Sequence, residues 1–294
     1  MEAVTTQQRL WTTLSLLNWS TEHLASKGFE SPRLTTELLL TNVLKCSRID
    51  LYTNYDRPLM SDELAQFKAL FKRRLAHEPV QYILRETEFM GMRFIVDTRV
   101  LIPRPETEVL VEQVVKLSKQ FSSLKILDVG TGSGNIAISL AKYTDHCDVD
   151  AIDVSQEALE VAQHNVVFHC CESKVKLYVR DILSTNVLLP SSQYNIIVAN
   201  PPYISQTEYA LLQPEVSDFE PKIATTDGHD GLTFYRALTK IGKEYLTPKG
   251  WIVVEFAYNQ HGAVGRLFNK AGYKNINIIQ DYSKIPRVLK AQYA

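Results

Sequence analysis

The sequence predicts an α/β fold, a mostly parallel sheet covered by helices on both faces, with a small all-α domain ahead of it and a β-hairpin linker between them. Three observations carry this prediction. From about residue 106 onward, short apolar runs of strand length alternate with helical patterns, which requires parallel strands and crossover helices. The first 80 residues show helical periodicity. Residues 81–105 switch to an alternating pattern with Gly91 near its centre, as a hairpin does. At 294 residues the chain is long enough for two domains, and the expected boundaries are 1–80, 81–105 and 106–294.

Each element has its own signal. LWTTLSLLNWSTEHLASKG (10–28) is apolar at helical spacing and ends at Gly28, a C′ glycine. SPRLTTELLLTNVL (31–44) offers Ser31 as a cap and Pro32 at the first helical position. SDELAQFKALFKRRLAHEP (61–79) carries acids in its first turn and bases in its last, and stops at Pro79. The run Lys72, Arg73, Arg74 reads as a solvated last turn rather than a docking face. In the second half, KILDVG, DVDAID, VKLYVR, YNIIVAN and GWIVVEF are the expected parallel strands, with NIAISLAKY, SQEALEVAQHNVVFH and GLTFYRALTKIGKEYL as helices between them. NINIIQDY and RVLKAQY read as two further strands, an antiparallel pair at one edge.

Composition narrows the function classes. With a net charge of −1, the chain lacks the basic excess of a dedicated nucleic-acid binder. Cys46, Cys147, Cys170 and Cys171 form no C-x-x-C pair, so a reducing, cytoplasmic setting is expected. Histidines do not cluster with Cys or carboxylates at ligand spacing, so no metal is expected. No apolar run reaches membrane-spanning length, and MEAVTTQQRLW lacks the pattern of a signal or transit peptide.

Two loops carry chemistry. After the first strand come Asp128, Val129, Gly130, Thr131, Gly132, Ser133, Gly134 and Asn135. Glycines at alternate positions let the backbone turn tightly and approach a ligand, and the next helix aims its amides there. A dinucleotide fingerprint needs its third glycine one place later, where Asn135 stands. The G-x-G-x-G form resembles the first motif of S-adenosylmethionine-dependent methyltransferases. Asp153, ending the second strand, serves either reading, because a carboxylate there can accept both ribose hydroxyls; a helix-cap role for it is displaced by Ser155, which already offers that cap. Asp181, after the third strand, stands where such folds meet adenine.

The second loop is Asn200, Pro201, Pro202 and Tyr203, directly after the fourth strand. Prolines stiffen this exit and fix the carbonyl direction. A planar nitrogen, amide or base amine, is poorly nucleophilic because its lone pair is delocalised. The Asn200 side-chain oxygen and the Pro201 carbonyl can accept its two hydrogens and favour a pyramidal geometry for attack, with Tyr203 as an aromatic platform. Adenine, cytosine and glutamine all present this donor pair.

The runs EPVQYIL, EFMGMRF, VLIPRPETEVLVE, ILDVGTGSGNIAI, IVANPPYI, FEP and DGLTFYRAL, in that order, resemble the PrmC/HemK family of protein-glutamine methyltransferases. The run at 102–108 is the most specific of these. The resemblance implies a Rossmann-like class I methyltransferase sheet, S-adenosylmethionine as cofactor, and as substrate the glutamine of the Gly-Gly-Gln loop in class 1 peptide chain release factors. It further implies that Gly130, Thr131, Gly132, Ser133 and Gly134 form the cofactor loop and that Asp153 holds the ribose. Asp181 and Ile182 would border the adenine, Asn200 to Tyr203 would grip the glutamine, and Asn200 would also touch the cofactor. Arg104 and Glu106 would shape the entrance or form a linker salt bridge. The helical segment would dock the large partner, the chain acting as a monomer without nucleic acid or membrane. Two rivals remain at this point: an adenine methyltransferase of DNA or RNA, and a non-catalytic protein that keeps only the fold.

Overall fold

The computed structural model describes residues 10–293. The chain divides into two compact units, 1–84 and 85–294.

The first unit is helical: α1 (Thr13–Ser26), α2 (Pro32–Leu44), α3 (Arg48–Thr53), α4 (Ser61–Leu75) and α5 (Val80–Leu84). Leu17, Leu24, Leu39, Leu40, Leu51 and Phe67 form its core. Thr12 caps α1 through a reciprocal bond with Ser15, and Gly28 takes the left-handed C′ conformation expected of it. Ser31 occupies the cap position of α2, but its backbone is left-handed and its side chain makes no capping bond. The basic run is not simply solvated. Arg74 is buried, with its guanidinium over the Phe29 ring and a bond to the Glu78 carbonyl, while Arg73 pairs with the Glu78 carboxylate. The α3 helix has no counterpart in the sequence expectations.

The second unit opens with the hairpin β1 (Glu86–Phe89) and β2 (Met92–Ile95). Its turn residues Met90 and Gly91 both have positive φ, the geometry of a tight two-residue hairpin. Of the expected 81–105 linker, residues 81–84 belong to α5, residues 86–95 form the hairpin, and 96–105 lead without regular structure to the next helix. Then follow α6 (Glu106–Ser118), β3 (Leu124–Val129), α7 (Asn135–Tyr143), β4 (Cys147–Asp153), α8 (Gln156–Phe168), β5 (Val175–Val179) and β6 (Tyr194–Ala199). Three helical turns come next, α9 (Gln206–Tyr209), α10 (Pro214–Ser217) and α11 (Lys222–Thr225). The unit ends with α12 (Thr233–Tyr245), β7 (Leu246–Glu255), α13 (His261–Lys270), β8 (Lys274–Gln280) and β9 (Pro286–Gln292).

Seven strands form one sheet in the order β5-β4-β3-β6-β7-β9-β8. The first five are mutually parallel, and β9 runs antiparallel to both β7 and β8. The expected terminal pair forms, with only β8 at the edge. Central strands buried on both faces read as unbroken Val and Ile runs, and apolar clusters cover the two faces. Strand order reverses between β3 and β6, so their outgoing loops part and open a crevice at the carboxyl edge. Among the described residues, no helix is long and apolar enough to cross a membrane.

Candidate active site

Register brings the chemistry-bearing positions to one level. Val129 pairs with Ile152 and with Ala199, and Ala199 pairs with Val254. The next residue on each strand is therefore Gly130, Asp153, Asn200 or Glu255, side by side along the carboxyl edge.

A cavity of about 310 Å³ lies over this edge, within the range of small-molecule sites. Gly130, Gly132, Asp153, Asp181, Ile182, Asn200, Pro201 and Pro202 border it. Gly130 and Gly132 have φ of +73° and +54°, and a Cβ on either would point into open space. The backbone there is bared toward the cavity. The Asp153 carboxylate takes the Gly132 amide on one oxygen and the Ser155 amide on the other, both at 2.9 Å. These bonds aim the carboxylate and leave lone pairs for a ligand's hydroxyls. Burial raises the Asp153 pKa, and the backbone amides of Ser155, Gly132 and Val154 oppose that rise. Ser155 caps α8 by accepting from the Ala158 amide, as the sequence implied. Asp181 is exposed and accepts from the Leu183 amide at 2.8 Å, while Ile182 is buried. Bared glycines, an oriented carboxylate and an apolar wall suit an adenosine-bearing cofactor.

Thr131, Ser133, Gly134 and Tyr203 do not border the cavity. Thr131 turns inward and donates to Asp128 at 2.7 Å. Burial pushes the Asp128 carboxyl up to about 7, and the Thr131 hydroxyl works against that rise. Ser133 is buried, and its carbonyl accepts from Asn165. The Asn165 amide also exchanges two bonds with Ile95 of β2, tying the glycine loop to the hairpin. Gly134 ends the loop in a left-handed turn, where a Cβ would crowd Ile138 and Ala162. These residues build the loop rather than its ligand face. Tyr203 is half-buried with its hydroxyl 3.4 Å from Glu255 Oε1. Burial and then the neighbouring Glu255 charge push its ionisation upward.

Asn200 has a defined orientation. Its Nδ2 donates to the Thr107 hydroxyl at 3.1 Å, which leaves Oδ1 free to accept. Behind it stands Glu255, 2% exposed, with Oε2 lacking a hydrogen-bond partner. Burial pushes the Glu255 carboxyl up to about 7, while the Thr107 hydroxyl and the Arg287 charge pull it down. Gln260 donates to the Tyr203 carbonyl at 2.9 Å, holding the loop after the prolines.

Several of these residues escaped the sequence reading. Thr107 lay inside the 102–108 run but carried no signal of its own. Glu255 had one, an acid at the carboxyl end of a parallel strand. Arg104 does not pair with Glu106. It grips buried Glu220 through both carboxylate oxygens, at 2.7 and 2.6 Å, because the segment before α11 folds back over residues 102–104.

The chain matches known proteins along most of its length. Residues 15–84 match the PrmC N-terminal domain family, and residues 105–215 match the methyltransferase small domain family. The release factor glutamine methyltransferase of Geobacter sulfurreducens is 39% identical over 286 residues, covering 97% of this chain and 98% of that protein. The Koribacter versatilis protein of the same name is 40% identical over 268 residues, covering 91% and 94%. Among solved structures, the hMettl16 catalytic domain in complex with the MAT2A 3′UTR hairpin 6 is 13% identical with a TM-score of 0.54, covering 82% of this chain and 86% of that one. That likeness bears on the fold alone. Near-full-length identity at this level, together with matches to both domain families, places the chain in the release factor glutamine methyltransferase family.

Proposed function

We propose that the protein methylates the side-chain amide nitrogen of the glutamine in the Gly-Gly-Gln loop of class 1 peptide chain release factors, with S-adenosylmethionine as donor. The observation that carries this reading is the Asn200 side chain. Its donor end is occupied by Thr107, so its acceptor end is the one available to a substrate at the cavity.

When bound, S-adenosylmethionine supplies an electrophilic methyl group on a positive sulfur. Gly130 and Gly132 would receive it closely, Asp153 would accept from its ribose, and Asp181 with Ile182 would flank its base. Asn200 Oδ1 and the Pro201 carbonyl would accept the two hydrogens of the substrate amide. That pair draws density onto the nitrogen and holds it in line. Transfer gives a cationic, acidic nitrogen that then releases a proton, so no strong base is required before attack. Tyr203, with its hydroxyl toward Glu255, sets the end of the rigid loop.

The helical unit would dock the protein substrate. It exposes Leu34, Ile49, Tyr52 and Tyr55, which is support for an apolar contact there. The protein would act in the cytoplasm, as a monomer.

The test is transfer of labelled methyl from S-adenosylmethionine to a purified class 1 release factor, beside a version whose Gly-Gly-Gln glutamine is alanine. Label on the first alone is the expected result. Label on DNA or RNA instead would replace the substrate and leave the Asn200 chemistry in place.

A further inference from the structure

We infer that Thr107 and Glu255 are positioning residues that hold the Asn200 amide in the one orientation able to accept from a planar nitrogen. The inference deepens the reading above and rests on it for its activity arm.

A side-chain amide can be turned over at little steric cost, because its oxygen and nitrogen are nearly the same size. Turned one way, Asn200 offers an acceptor to the cavity. Turned the other way, it offers N–H groups, which repel the N–H groups of a substrate amide. The choice is made behind Asn200. Thr107 Oγ1 accepts from Asn200 Nδ2 at 3.1 Å, so the Thr107 hydrogen must point elsewhere. The Thr107 hydroxyl also acts on the buried Glu255 carboxyl, holding its pKa down, and Glu255 Oε2 has no hydrogen-bond partner of its own. A carboxylate there can only accept. It draws the Thr107 hydrogen toward itself and keeps the Thr107 lone pair facing Asn200. A protonated carboxyl can donate to Thr107, which frees the Thr107 hydrogen to turn toward Asn200 and favours the inverted amide.

The groups facing Glu255 are Thr107 and Glu106 on α6, Arg287 on β9 and Tyr203 on the loop after β6; Tyr235 on α12 bonds the Glu255 carbonyl at 2.8 Å. Arg287 favours the carboxylate and Glu106 opposes it. The balance puts the change near pH 7, where protonation would reverse the relay.

Two arms test this. Thr107→Val keeps shape and loses the hydroxyl; Thr107→Ser keeps the hydroxyl and loses a methyl. Partners that orient a site group through a second hydrogen bond command roughly 10- to 100-fold in activity at metal centres, and the same loss in kcat is expected for T107V. T107S should recover most of it, with S-adenosylmethionine affinity by calorimetry little moved in either. A packing role predicts the opposite order, and T107V matching wild type would overturn the inference. The second arm does not depend on turnover. The side-chain amide resonances of Asn200, assigned by their loss in Asn200→Asp, should titrate near neutral pH in the wild type and stop titrating in Glu255→Gln. Resonances that ignore pH in the wild type would also overturn it. A wild type that fails to methylate release factors but shows this titration would defeat the proposed substrate and leave the relay standing.

Discussion

Glu255→Gln should make the protein more stable in alkali and change it little in acid. Burial lifts the Glu255 carboxyl from an ordinary 4.5 to about 7, with Thr107 and Arg287 only partly opposing. A carboxyl raised in the folded state contributes stability that is complete below its unfolded pKa and is lost as pH climbs through the folded one. The interval from 4.5 to about 7, at roughly 1.4 kcal/mol per pH unit, amounts to about 3 kcal/mol. At about pH 5 the wild-type residue is neutral in the folded chain and resembles Gln. At about pH 9 the folded chain carries a buried carboxylate that Gln does not, so the variant should be ahead by up to about 3 kcal/mol. For a unit of this size that is roughly 6–12 °C in Tm. Asp128, also raised to about 7 by burial, is present in both proteins and cancels in the difference. The assay is scanning calorimetry of both proteins across this pH range. A Tm difference that stays flat with pH would refute the reasoning, because it would mean that Glu255 ionises at the same pH in the folded and the unfolded chain.

The remaining predictions concern the site directly. Asn200→Ala should lower turnover by roughly 100-fold or more, the cost of one preorganised polar contact, while calorimetry shows S-adenosylmethionine binding largely retained; near-normal turnover would sink the two-acceptor account. Asp153→Ala should weaken S-adenosylmethionine binding before it affects anything else, since the carboxylate borders the cavity with both oxygens already aimed; an unchanged Kd would remove Asp153 from the site. Gly231→Ala should destabilise by about 1–3 kcal/mol and impair activity. Its φ is +77°, and a Cβ would stand 2.4 Å from the Tyr203 carbonyl oxygen and 2.6 Å from Gln260 Nε2. Wild-type melting and turnover for G231A would show that the Tyr203 loop can move aside.

The order of elements was legible because burial on both faces leaves a local trace. Strands such as YNIIVA and LKILDV can only be unbroken apolar runs, and alternation with helices then makes the sheet parallel. The cavity-facing glycines and the Asn-Pro-Pro-Tyr loop were legible for a similar reason. Left-handed backbone and a rigid strand exit demand particular residues wherever they occur. The family resemblance then joined these local signals to a substrate. Other features depended on the fold. Ser31 looked like a cap and makes no capping bond. Arg74 looked solvated and lies buried over Phe29. Arg104 was expected to act with Glu106 and instead pairs with Glu220, more than a hundred residues away.

The amino-acid sequence by itself determined the α/β class, the two motif loops and the residues whose backbone demands are local. Only the tertiary structure decided which of those residues face the cavity and which build the loop behind it. It also decided that Thr107 and Glu255 stand behind Asn200. The reason is physical: a hydrogen bond between α6 and the end of β6, or a carboxylate buried at the end of β7, depends on register and strand order. Neither leaves a periodicity or a spacing along the chain.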